Sequence, residues 1–253
     1  STGLLFDKYT ITFFERKGLL MYGWRAKIGF ISTMGESAEH AFHIYAPEGV
    51  SFCSMKLDKH ECLEKSSALY DGYDIDLALF DGGRKSFSKG ISFDMESAEI
   101  IKRTCGVPAI TVNTSLVEAL TALNAKKIAV LTPYSEADNR SVREYLEDRG
   151  FEVTNIAAMD MDQYTCSGLH IEAATEYFLY QHSIHTELKG ADVFLLCGME
   201  LATLEILPSL EKALGIPVVT SHQAALWSAL RHSRVGAVLP ALGSLSALMP
   251  KIC

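Results

Sequence analysis

The chain has 253 residues, 48% of them hydrophobic and 21% charged, which supplies one substantial core or two smaller ones of roughly 100–130 residues each. Its net charge of −8 sets it apart from nucleic-acid binders, which need a concentrated basic face. No run of about 18 consecutive apolar residues is present, so neither a membrane-spanning helix nor a membrane partner is expected.

Residues 1–22 carry Asp7 and Glu15 among apolar residues, show no signal-peptide cleavage pattern, and read as an N-terminal extension. From there, short apolar runs alternate with segments of helical periodicity, the pattern of a parallel α/β sheet. Lys27–Ser32 (KIGFIS) reads as a first buried strand and Val50–Lys56 as a second. Asp76–Phe80 follows, then Ala109–Val112 after the Gly106-Val107-Pro108 break. The second series is Lys127–Thr132 (KIAVLT), Glu152–Ile156, Asp192–Leu196 and, after Gly215-Ile216, Pro217–Thr220.

The two series answer one another about 100–115 residues apart: KIGFIS with KIAVLT, DLALFDGG with DVFLLCGM, and GVPAITVNTSLVEAL with GIPVVTSHQAALWSAL. Such a repeat predicts two similar lobes with a ligand site in the crevice between them. The expected division is a first lobe over 23–118, a second over 119–220, and a candidate return segment over 221–253. In each lobe the third strand runs into a small-residue turn, Asp81-Gly82-Gly83-Arg84 and Cys197-Gly198-Met199. Each turn is expected to open a helix whose free N–H groups receive a carboxylate.

GWRAKIGFI, DLALFDGGRKSF, LTPYSEADN and FLLCGMELATLEILPSLEKALGIPVVTSHQAALW, taken together and in this order, resemble the aspartate/glutamate racemase superfamily. The closest branch holds the maleate cis–trans isomerases and arylmalonate decarboxylases, and the resemblance runs from about residue 23 to residue 232. It implies two pseudo-symmetric Rossmann-like lobes, each a parallel sheet flanked by helices, with an active site in the cleft and no metal or organic cofactor. Many members present one cysteine from each lobe. The second-lobe cysteine falls on Cys197 and the first-lobe position on Gly82; a one-residue change of register puts Asp81 there instead. The resemblance also carries substrate binding to Tyr134 and Asn139. Where relatives have small hydroxyl residues, this chain has Gly83 and Arg84, the latter a candidate bidentate carboxylate clamp. Where isomerases carry an asparagine, it reads Ser32-Thr33-Met34-Gly35-Glu36.

A cysteine ending a buried strand before glycine and a helix is expected to have a lowered pKa. It then serves as a base, as a nucleophile or, protonated, as a donor to an enediolate held by backbone N–H groups of Gly82, Gly83 and Gly198 and by Tyr134. A structural buried cysteine is the plainer reading of Cys197. Packing accounts for Cys53 and Cys105, whereas Cys166 sits in a loop-like stretch able to approach the cleft. Six cysteines without a CxxC pair suit free thiols in the cytoplasm. Ser221-His222-Gln223 follows the last strand as Asn113-Thr114-Ser115 follows its counterpart. His222 can orient a carboxylate, and Ser221 can equally start a helix. His40 and His43 lie near Glu36 and Glu39 but have no obvious further ligand, so no metal site is expected.

The expected function is a cofactor-independent enzyme acting on a small carboxylic acid through an enediolate, a single-cysteine decarboxylase or isomerase. One alternative is maleate-type isomerisation through a covalent Cys197 adduct. The other is a small-acid binding protein without catalysis. A homo-oligomer is in keeping with the branch.

Overall fold

The computed structural model describes residues 23–33, 36–57, 62–161 and 172–250. The expectations for residues 1–22, Met34, Gly35 and Cys166 fall outside these. Eight strands form two four-stranded sheets, all parallel within each sheet. The first sheet holds β1 (Ala26–Ser32), β2 (Val50–Lys56), β3 (Leu77–Asp81) and β4 (Ala109–Thr111) in the order β2-β1-β3-β4. The second holds β5 (Lys127–Thr132), β6 (Glu152–Ala158), β7 (Val193–Leu196) and β8 (Val218–Thr220) in the order β6-β5-β7-β8. The order is the same in both, as the paired motifs predict. The central strands are apolar runs buried on both faces, the composition a helix-covered parallel sheet requires.

Nine helices are described: α1 (Glu36–Tyr45), α2 (Leu63–Ala68), α3 (Arg84–Lys89), α4 (Ile91–Cys105), α5 (Val112–Ala122), α6 (Glu136–Glu147), α7 (Glu172–His185), α8 (Leu207–Leu214) and α9 (Ser221–His232). A 3-10 segment, Pro240–Leu248, closes the described chain. Both α5 and α9 start directly after the last strand of their sheet, each on a capping box, Thr111 with Thr114 and Thr220 with Gln223. The N-cap of α9 is therefore Thr220 and not Ser221. The same boxes align Asn113 with His222, one residue from the pairing read in the sequence.

The two sheets, with the helices that follow them, are joined along two seams. Helices α5 and α9 pack together, with Glu118 accepting from Ser228 Oγ at 2.7 Å and facing His232 Nε2 at 3.0 Å. Helices α3 and α6 form the other, where Phe87 meets Tyr134 and Tyr145 edge-on and Tyr145 donates to Asp94 Oδ2 at 2.7 Å. One apolar core consequently runs through both lobes.

One sequence expectation fails here. The chain after Cys197 does not enter a helix; residues 197–206 are turns, and α8 begins only at Leu207. Pro208 sets where α8 begins. In the first turn of α8 it fits, but a helix starting at Gly198 would hold it in the interior, without an N–H and against the preceding turn.

Candidate active site

In each sheet the order reverses between the first and third strands, so a crevice opens at their carboxyl ends. Ser32 and Asp81 end these strands in the first lobe, and Thr132 and Leu196-Cys197 end them in the second. The register relates the two ends residue by residue. Phe80 pairs with Thr111 and Leu196 with Thr220, the two capping threonines, so Asp81 and Cys197 occupy equivalent positions. By this register Asp81, the stated alternative to Gly82, is the counterpart of Cys197. Side chains alternate along β3: Leu77 and Leu79 face the core shared by the lobes, and Ala78 and Phe80 face the other side. Asp81 continues the first face. A Cβ on Gly82 would point the other way, into the Ser86 hydroxyl and the Phe80 and Phe93 rings.

Asp81, Gly83 and Asn113 beside the first sheet and Tyr134, Glu200 and Ser221 beside the second line one cavity. Its free volume is about 10 Å³, the scale of a single water molecule. Asp81 is buried and accepts from Ser32 Oγ at 2.8 Å and from the Gly83 N–H at 2.9 Å. Burial raises its pKa against the pull of both hydrogen bonds. The φ of 54° at Gly83, accessible to glycine, turns that N–H back onto the carboxylate.

Cys197 is 1% exposed, and Ser221, which lines the cavity, brings its hydroxyl to 3.9 Å from the sulfur. The same hydroxyl accepts from the Gly198 N–H at 3.0 Å. Burial pushes the thiol up to about 12; the Ser221 hydrogen bond opposes this, and Glu200 and Asp81 add to it. A lowered pKa is thus overturned: no helix follows, and the nearby charges are acidic. The Gly83 and Gly198 N–H groups, expected to receive substrate carboxylate, are engaged by Asp81 and Ser221.

Tyr134 is buried against the cavity, its pKa raised first by burial and then by Glu200, Cys197 and Asp81. Arg84 is not a free clamp. Its guanidinium lies 3.5 Å from Asp138 and 4.9 Å above the Tyr134 ring, holding that ring across the lobe boundary. Asn139 is buried and accepts from Thr132 Oγ1 at 2.5 Å, a bond that ties α6 to the end of β5. His222 is fully buried behind the site, next to the Phe42 ring.

Sequence reasoning missed two residues. Glu200 is 8% exposed and its Oε2 is buried with no hydrogen-bond partner among the described residues; burial lifts its pKa to about 7. Asn113 Nδ2 is likewise buried and unpaired. An acid three residues after a strand-ending cysteine was the available signal for Glu200. His43 pairs with Glu39 at 3.6 Å, and no cluster able to hold a metal ion occurs among the described residues. Nor is any described helix long and apolar enough to cross a membrane.

A family model described as arylmalonate decarboxylase matches residues 75–246. The arylmalonate decarboxylase of Bordetella bronchiseptica is 27% identical over 156 residues, 62% of this chain and 64% of that protein, just under two thirds of its length. The crystal structure of the maleate isomerase Iso from Pseudomonas putida S16 superposes with a TM-score of 0.76 at 19% identity, covering 87% of this chain and 97% of that one. A Nocardia farcinica maleate cis–trans isomerase with a covalently bound succinylcysteine intermediate does so with a TM-score of 0.76 at 19% identity, covering 89% and 99%.

Proposed function

Since the chain belongs to the arylmalonate decarboxylase family, we propose that it is a cofactor-independent enzyme that transfers a proton to the carbon alpha to a carboxylate of a small carboxylic acid, with the Cys197 thiol as donor. The observation that carries this reading is a buried thiol beside a cavity between the lobes, flanked by two acidic side chains. Acids beside sulfur disfavour thiolate. They favour S–H, the form that protonates an enediolate left by loss of CO₂. Tyr134 and Asn113 are the donors that support binding of the enediolate oxygens, and Asp81 faces the substrate from the other lobe.

The relative with a succinylcysteine intermediate supports the rival, covalent addition of Cys197 to an alkene. That step starts from thiolate, which Glu200 and Asp81 oppose. Two incubations separate the readings. With phenylmalonate, CO₂ release and phenylacetate are expected. With maleate, mass spectrometry is expected to find no adduct on Cys197; an adduct with fumarate formation would replace the first reading by the second. Binding of both acids without turnover would leave only a binding protein.

The division into lobes 23–118 and 119–220, with 221–253 returning to the first, is part of the same proposal and is supported by α9 packing on α1 and β3. So are a cytoplasmic setting, supported by the free thiols Cys53, Cys62, Cys105 and Cys197, and self-association, supported by exposed Tyr177 and Phe178 on α7.

A further inference from the structure

A thiol that has given its proton to carbon must regain one before the next turnover, and Cys197 is 1% exposed. Glu200 stands three residues on. Its carboxyl folds back over the intervening turn, so that a Cβ on Gly198 would lie 3.1 Å from Glu200 Oε2. The φ of 133° at Gly198 belongs to the same bend. Oε2 is buried and unpaired among the described residues, yet Glu200 as a whole retains 8% exposure. It also lines the water-sized cavity shared with Ser221, whose hydroxyl reaches the sulfur. A buried carboxyl oxygen without a partner is destabilising and calls for a reason. Asp81, the other acid at the site, has both oxygens engaged, by Ser32 and Gly83.

We propose that Glu200 is the proton relay between solvent and the Cys197 thiol, a role that rests on the reading of Cys197 as the donor. In a turnover the bond between the alpha carbon and the departing carboxylate breaks, CO₂ leaves, and the electron pair stays on the enediolate. The Cys197 S–H bond then breaks as C–H forms, leaving thiolate. The Glu200 O–H gives its proton to that sulfur, directly or through the cavity, and the resulting carboxylate takes a proton from solvent at its exposed edge. With Glu200 held at about 7 and the thiol at about 12, transfer to sulfur runs downhill. Glu200 acts on the thiol and need not touch substrate.

The test is rapid-quench turnover of phenylmalonate by the wild type, Glu200→Gln and Cys197→Ala. Glu200→Gln keeps the shape and removes the transferable proton. Its first turnover is expected at the wild-type rate with one product per site, followed by a steady state lower by about tenfold or more. Glu200→Asp, which keeps a transferable proton, is expected to restore part of the steady state, a rescue that a purely structural role does not give. A steady state equal to wild type, or equal loss of first and later turnovers without rescue, overturns the relay alone. Turnover by Cys197→Ala, or no turnover of phenylmalonate by the wild type, overturns the donor reading and the relay together.

Discussion

Asp81 and Cys197 are the same residue of one structural unit used twice: each follows the strand position that pairs with a capping threonine, Thr111 in the first lobe and Thr220 in the second. The repeat therefore points a carboxyl and a thiol toward the boundary between the lobes from opposite sides. Burial first, and then Glu200 and Asp81, raise the pKa of the thiol, which favours the proposed proton donation over nucleophilic attack.

Thiol reactivity follows directly. Native protein treated with iodoacetamide near neutral pH is expected to label exposed Cys62 readily and to leave Cys197 unlabelled until unfolding, read by peptide mass mapping. Fast native labelling of Cys197 would show a thiolate.

Gly82 is required by packing. Gly82→Ala drives a methyl into the Ser86 hydroxyl and is expected to destabilise by about 1–3 kcal/mol in urea unfolding. Gly82→Ala with Ser86→Ala should recover part of that loss, a coupling measurable as a double-mutant cycle. Additive effects would disprove the contact.

How much of this was legible beforehand depended on the range of the forces involved. The strands and the duplication could be read because runs such as KIAVLT and DVFLL are long enough to declare a buried parallel strand, and GVPAIT is matched by GIPVVT; the capping boxes, which set the helix starts, were not. The Cys197 site was legible as a position and not as a protonation state. Its pKa depends first on burial and then on Glu200 and Asp81, all set by tertiary packing, and the expected helix begins only at Leu207. Arg84 looked free in sequence because Asp138, its partner, lies 54 residues away on the other lobe.

The second seam between lobes has a measurable strength. Tyr145→Phe removes the hydrogen bond to buried Asp94, which is expected to destabilise by about 1–3 kcal/mol and lower Tm by roughly 2–4 °C per kcal/mol. An unchanged melting curve would show that the contact carries nothing.

His222 imposes an acid limb on stability. Burial lowers its pKa from 6.5 to about 4, so the unfolded chain binds the proton more tightly. Stability from this residue is whole above pH 6.5 and declines as pH falls toward 4, by a total of about 3 kcal/mol. His222→Leu should flatten urea-unfolding free energy across that window while leaving the neutral value the same or higher. A slope that persists in the variant would place the titrating group elsewhere.

The proposed chemistry rests on the sulfur of Cys197. Phenylmalonate turnover in D₂O, followed by NMR for wild type and Cys197→Ala of equal thermal stability, reads it most directly. The wild type should release CO₂ and place deuterium on the alpha carbon, and the alanine variant should lose about 10²–10⁴-fold in rate. Undiminished decarboxylation and deuteration by the alanine variant would contradict the assignment.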